Sequence, residues 1–298
     1  MSTWQRWVEA GKVILADGAT GTMLMAKGLP PGDAPIIWNA ERPDQVRDLH
    51  RRYQEAGARL ILSNTFSGNR FRLATHRLQG REVELNQAGI RLAREAVSQA
   101  GGEALVAGDI GPTGGLLAPL GEISYADAVA AFADQASALA AAGADLLWIE
   151  TLSDLEEMRA AIEGARRAAP ELSIVATMTF DTRGRTMMGV TPEQAVTALR
   201  GWGAAAVGAN CGTGPAEVLE VIRKMKAAAP EAVLVAKPNA GVPELVDGRS
   251  VYRADSQAMA SYALAAARVG ARIIGACCGS TPDHLKAMAQ ALQAEALL

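Results

Sequence analysis

The thiol inventory of this 298-residue chain is three cysteines, Cys211, Cys277 and Cys278. Each follows a short apolar run and stands ahead of a glycine, in "VGANCGTGP" and "IIGACCGSTP". Three thiols cannot all pair within one chain, and a reducing compartment keeps them free. A thiolate is both a nucleophile and a metal ligand. Three of them brought to one point form most simply a zinc (Zn2+) site. Zinc takes thiolate sulfur at about 2.3 Å in tetrahedral geometry, and a catalytic zinc keeps its fourth position open. Two readings compete. Free cysteines are among the most buried residues and can be plain core. Cys277 and Cys278 could form a redox pair, although C-x-x-C is the commoner spacing for that chemistry. The histidines compete little as ligands: His50 and His76 fall in helix-like or loop sequence, and His284 reads as an exposed residue in the first turn of the last helix.

Converging the cysteines requires a fold that gathers distant segments. Eight short apolar runs recur along the chain: "VILADG", "RLILSNTF", "ALVAGDIG", "DLLWIET", "SIVATMTF", "AAVGANCG", "VLVAKPNAG" and "RIIGACCG". Their nearly continuous apolar character suits strands of a parallel sheet buried on both faces. Helical sequence separates them. Ser124-x-x-Asp127, Ser153-x-x-Glu156 and Thr191-x-x-Gln194 read as capping boxes. Pro192 and Pro282 suit the first helical position, and Gly143 and Gly270 suit helix ends. Strand–helix alternation eight times over predicts an α/β fold, a (β/α)8 TIM barrel. The barrel takes residues 1–298 as a single domain, with residues 1–12 as an extra N-terminal helix. A doubly wound open sheet is the alternative, but "DGATGTM" does not fit the G-x-G-x-x-G turn of that fold.

Barrel enzymes place their chemistry at the C-terminal ends of the strands. Those ends carry Asp17, Asn64, Asp109, Glu150, Asp181, Asn210 with Cys211, Lys237 with Asn239, and Cys277 with Cys278. Strands six and eight are separated by one strand in a closed barrel, so their cysteines can share one ion. Lys237 reads as a structural ion pair. It also permits an alternative reading, a barrel lyase using that lysine as a Schiff base. A zinc- or thiol-binding protein without catalysis is a further alternative. Trp148, Met187 and Met188 read as core.

Composition sets the class of partner. The net charge is −3 and the basic residues are dispersed, so there is no electrostatic footprint for nucleic acid or an anionic membrane. No apolar run approaches the roughly 20 residues of a membrane helix. The N-terminal sequence lacks the pattern of a signal peptide, which makes a cytoplasmic location the expectation. The sequence carries no signal of oligomeric state.

The set "DGATGT", "SNTF", "GPTG", "IETLSD", "GANCG", "KPNAG" and "CCGSTPDH" resembles the homocysteine S-methyltransferases over residues 13–290. It is most similar to the homocysteine-binding module of cobalamin-dependent methionine synthase. Thr20 stands where the family often has Met, and Ala276 where it often has Gly. The resemblance implies a (β/α)8 barrel that holds zinc through Cys211, Cys277 and Cys278 and activates homocysteine as a zinc-bound thiolate. That thiolate attacks a methyl donor and yields methionine. The resemblance further implies that Asp17 and Glu150 meet the substrate's ammonium. Backbone N–H groups at Gly18 and Ala19 could meet its carboxylate. Asn64 and Thr65 could line the pocket, and Asn210 could orient a ligand. Asn239 is a candidate fourth zinc ligand before substrate arrives. The donor is a corrinoid-bound methyl group, carried by a separate corrinoid protein, or a sulfonium such as S-methylmethionine. Betaine is disfavoured, since a quaternary ammonium prefers an aromatic cage and aromatic residues are 4% of the chain.

Overall fold

A computed structural model describes residues 1–246 and 249–298. Eight parallel strands form its centre: β1 (Ile14–Leu15), β2 (Leu60–Leu62), β3 (Leu105–Ile110), β4 (Leu146–Leu152), β5 (Ser173–Met178), β6 (Ala206–Cys211) and β7 (Leu234–Pro238), completed near the C-terminus by a last strand at Ala271–Ile274. Between β7 and that last strand lies a small antiparallel hairpin, β8 (Glu244–Val246) with β9 (Arg249–Val251), which makes the last strand β10. The order in the large sheet is β1-β10-β7-β6-β5-β4-β3-β2. A parallel bridge between Ala16 and Leu60 brings β1 against β2 and closes the circle. The architecture is a (β/α)8 barrel. All eight apolar runs of the sequence contain a strand of it.

The period of two along each strand builds the interior. Ile14 and Ala16, Leu60 and Leu62, Leu105 and Ala107, Leu146 and Trp148 share one buried cluster with Val175, Ala206, Val235 and Ile273. Trp4 joins that cluster from the short helix Thr3–Glu9, which is capped by a Ser2–Gln5 box. A second, larger cluster packs the outer face of the barrel against the surrounding helices.

Helix starts follow their caps. Ser124 Oγ accepts from Asp127 N–H, and Thr191 and Gln194 form a reciprocal box with Pro192 at the first helical position. The Ser153 box does not form: Asp154 caps the helix Leu155–Ala168 through Glu156 N–H, one residue later. His284 is a cap partner rather than an exposed residue. Its Nδ1 accepts from Thr281 N–H at 2.9 Å, and its Nε2 lies 3.0 Å from Ala254 O. Met187 and Met188 are exposed, not core, whereas Trp148 is fully buried. No helix among the described residues is long and apolar enough to cross a membrane.

Candidate active site

One further step of the inward alternation leaves the apolar layers and reaches polar residues. After Leu62, Ala107, Trp148 and Val235 come Asn64, Asp109, Glu150 and Lys237. All four line a cavity of about 400 Å³ at the C-terminal end of the barrel. Gly18, Ala19, Cys211, Cys277 and Cys278 line the same cavity.

The sulfur atoms of Cys211, Cys277 and Cys278 lie within 4.8 Å of one another, and the Cys211–Cys277 pair is at 2.9 Å. Backbone geometry brings them there. Cys211 has φ 56, which breaks the strand alternation at the tip of β6. Thr151 at the tip of β4 has φ 68, an outlying conformation for a β-branched residue. Asn210 fixes this region. Its Oδ1 accepts from Thr151 N–H at 2.9 Å and Thr177 Oγ1 at 2.8 Å, and its Nδ2 donates to Thr151 Oγ1 at 2.6 Å. Cys277 N–H donates to Pro238 O at 2.7 Å, Ala240 N–H to Cys278 O at 2.9 Å and Asn239 N–H to Cys211 O at 3.2 Å. The β7 tip therefore ties the two cysteine segments together. Tyr252, just past the hairpin, packs closely against Gly279, where a side-chain Cβ would stand 2.1 Å from its ring.

The sulfur cluster suits a divalent soft cation. With Zn–S at about 2.3 Å, a tetrahedral site has sulfur–sulfur edges of about 3.8 Å; the Cys211–Cys277 pair is closer than that edge, and no pair is farther apart than 4.8 Å. Protonation points the same way. The Cys278 thiol is pushed down to about 4 because Cys211, then Cys277, donates to its thiolate. Contact with Cys277 holds Cys211 well above the ordinary thiol range. Cys277 is pushed up to about 12: the Cys211 contact opposes the rise, and the Cys278 contact and burial outweigh it. A metal bound by the three sulfurs would ionise all of them. Asn239 Oδ1 is buried without a hydrogen-bond partner among the described residues, while its Nδ2 donates to Gly212 O at 2.8 Å.

Beside the sulfurs sits a carboxylate cluster around one lysine. Lys237 Nζ lies 3.2 Å from Asp17 Oδ1, 3.9 Å from Glu150 Oε2 and 5.1 Å from the centre of the Trp148 ring. Burial works to lower the Lys237 pKa, but Asp17, then Glu150, holds the ammonium above its ordinary value. A Schiff-base lysine needs the reverse, so the lyase reading loses its nucleophile. Asp17 is saturated, its other oxygen accepting from Leu62 N–H at 2.8 Å. Burial raises the Asp17 pKa against the pull of Lys237. Glu150 is pushed up to about 7 by burial, opposed by Lys237, and accepts from Trp148 Nε1 at 3.1 Å. Burial, then the neighbouring Glu150, holds Asp109 well above the carboxylate range.

Several residues singled out from the sequence stand off the cavity. Asp17 lies behind its wall, bound to Lys237. Thr65 is fully buried and donates to Asp109 O at 2.7 Å. Asn210 spends its side chain on Thr151 and Thr177. Asp181 is exposed and accepts from Thr182 Oγ1. Ala19 lines the cavity, but its N–H is committed to Ser280 Oγ at 3.0 Å, so it is not a donor for a substrate carboxylate. Gly18 is needed for close packing: a Cβ there would fall 2.5 Å from Ser280 Oγ. Sequence reading placed Asp109 at a strand end without giving it a role and did not single out Arg72, although both line the cavity. The period-two inward alternation is the signal that would have pointed Asp109 into the cavity.

The profile of homocysteine S-methyltransferases matches residues 14–292. The chain belongs to the homocysteine S-methyltransferase family. A methionine synthase of Mycobacterium tuberculosis is 35% identical across 94% of this chain, and one of Mycobacterium leprae 34% across 95%. The chain spans about a quarter of the length of these curated relatives. Among solved structures, the metallated form of the homocysteine methyltransferase MmuM from Escherichia coli superposes with a TM-score of 0.81 at 26% identity. That match covers 97% of this chain and 99% of that one.

Proposed function

We propose that the chain is a zinc-dependent enzyme that forms methionine from homocysteine, with Cys211, Cys277 and Cys278 as the protein ligands of the metal. The convergence of all three sulfurs within 4.8 Å at the cavity carries this reading. The metallated state of the E. coli relative supports it. Asn239, with its unpartnered Oδ1 and its backbone tied to Cys211, is suited to fill the fourth position before substrate binds. Zinc held by three thiolates would keep the incoming thiol ionised at neutral pH.

The chain's own residues do the rest. Glu150 takes the substrate ammonium, and Asp17 acts from behind by fixing Lys237 against Glu150. Gly18, Ala19 and Asn64 wall the thiol chain. Thr65 and Asn210 brace the strand tips that present Asp109 and Cys211. The homocysteine sulfur displaces the methyl group in line: the new S–C bond forms as the donor's bond to carbon breaks and the donor keeps the electron pair. The mechanism demands little acid–base chemistry once the thiol is ionised, so positioning and exclusion of water dominate.

A methyl group carried by a separate corrinoid protein is the donor favoured by the outer surface. Eight of the ten exposed large hydrophobic residues among those described lie in the segments after β1, β3, β5 and β7, including Leu116, Leu120, Met187, Val242 and Leu245. These segments lie at the C-terminal end of the barrel, where Met25 lines the cavity itself, and exposed apolar residues gathered at one end mark a docking face. A sulfonium donor is the second reading, since a cavity of about 400 Å³ admits two small molecules. The test offers purified, zinc-loaded protein homocysteine with methylcobalamin in one reaction and S-methylmethionine in another. Methionine only in the first supports the corrinoid reading. Methionine only in the second replaces it with the sulfonium. Methionine in neither, with zinc bound, leaves a zinc-binding protein without methyl transfer.

A further inference from the structure

A run of hydrogen bonds fastens the cysteine pair to the chain that leaves the hairpin. Ala240 N–H donates to Cys278 O at 2.9 Å, and Ala254 N–H donates to Ala240 O at 2.9 Å. Ala254 O in turn lies 3.0 Å from His284 Nε2. His284 Nδ1 accepts from Thr281 N–H at 2.9 Å, so the ring proton sits on Nε2 and is given to Ala254 O. His284 stands in the first turn of the helix Pro282–Ala294, which begins just past the cysteines. One imidazole therefore stitches together the β7 tip, the chain leaving the hairpin and the cysteine loop. The β7 tip also carries Asn239, so Cys278 and the candidate fourth ligand are set by the same stitching. An ion pair at 2.8 Å between Arg253 and Glu244 fastens the stitched chain to the hairpin.

That chain brings Tyr252 to the sulfurs. The Tyr252 ring fills the space beside Gly279, which has φ 79 and whose Cβ, were there one, would stand 2.1 Å from the ring. Gly279 is itself tied to the segment after β1, since its N–H donates to Thr22 Oγ1 at 3.1 Å. Tyr252 is half-buried, and its hydroxyl shares a hydrogen bond with the Cys278 side chain. A phenol is protonated at neutral pH and can donate; a thiolate can only accept. A divalent metal held by three thiolates leaves the site net anionic, and a substrate thiolate adds to that charge. A donor from the protein draws charge off one sulfur and fixes its orientation, the service that outer partners give to metal ligands.

We infer that Tyr252 is a positioning residue of the metal site, its hydroxyl donating to the Cys278 thiolate, and that His284 is the clasp that holds it there. The inference rests on the three cysteines being the metal's ligands.

The test loads the protein with Co2+, whose sulfur-to-cobalt charge-transfer absorption reports the charge on the thiolates, and measures zinc affinity by competition with a chelator. Tyr252→Phe keeps the ring against Gly279 and removes only the hydroxyl. The absorption should move to lower energy and zinc binding should weaken about tenfold, while the melting temperature of the metal-free protein stays at the wild-type value. His284→Ala should shift the absorption in the same direction and weaken zinc by about tenfold or more. His284→Gln should restore much of both, because its amide can accept from Thr281 N–H and donate to Ala254 O, as glutamine does in a capping box. An unshifted absorption in Tyr252→Phe overturns the hydrogen bond to Cys278, and decides it even where His284→Ala fails to fold. Wild-type absorption and affinity in His284→Ala overturn the clasp. A wild type that shows no sulfur-to-cobalt absorption overturns the cysteine metal site itself, a different result from either.

Discussion

Cys278 illustrates how far residue type alone carries the argument. Every thiol of the chain stands at a strand tip, so the cysteine site was legible before any coordinates. The carboxylates were not sorted as easily. Asp17, Asp109 and Glu150 look equivalent in sequence, and only the structure shows that Asp17 is saturated while Asp109 is bare. Whether a buried group has found its partner depends on distant residues, and sequence spacing does not contain it. Thr65 and Asn210 show the same thing: both sit at the right tips but spend their side chains on neighbouring strands. Replacing Cys211, Cys277 or Cys278 by Ala is expected to remove zinc and methionine formation together; elemental analysis and a methionine assay check it, and a zinc-free variant with full activity would refute the site. His50 gives a pH prediction. It is fully buried, neither ring nitrogen has a partner, and burial pushes its pKa down from 6.5 to about 4. The unfolded chain therefore binds the proton first as pH falls. The contribution of neutral His50 is complete above pH 6.5 and is lost towards pH 4, amounting to about 3 kcal/mol. Denaturation of wild type and His50→Leu across that range should show wild type losing stability relative to the variant as the medium becomes acid. A constant difference would mean His50 is not buried neutral.

At the scale of elements, the strands were legible because each is a short apolar run bounded by turn residues, and the barrel needs all eight. The hairpin of β8 and β9 escaped notice because all three residues of β8 are exposed, so that strand has no buried apolar face to signal it. The helix at Leu155 began one residue late because Asp154 outcompeted Ser153 as its cap. Close strand contact gives a prediction of its own. A Cβ on Gly208 would stand 2.0 Å from Val235 O, across the β6–β7 pairing that ends in Cys211. Gly208→Ala is expected to cost about 1–3 kcal/mol and to weaken zinc binding by displacing Cys211. Gly201→Ala, with nothing within 4 Å of the new Cβ, should leave both unchanged. Thermal melts with metal titration compare the two, and equal behaviour would contradict the packing argument.

At the scale of the molecule, the barrel gathers β6, β7 and β10, and with them sulfurs from distant parts of the chain. A metal that binds only the folded arrangement stabilises it by mass action. Chelation should therefore lower the melting temperature of wild type and leave the triple cysteine-to-alanine variant unmoved; an equal fall in both would place the metal elsewhere. The exposed apolar residues belong to this scale too, since they come from the separate segments after β1, β3, β5 and β7, which the closed barrel brings to one end. The central claim is that the cysteine triad presents zinc to the homocysteine sulfur. X-ray absorption at the zinc edge, with and without homocysteine, tests it most directly. The account predicts three sulfur neighbours rising to four when homocysteine is added. A shell that stays at three sulfurs under saturating homocysteine would contradict it.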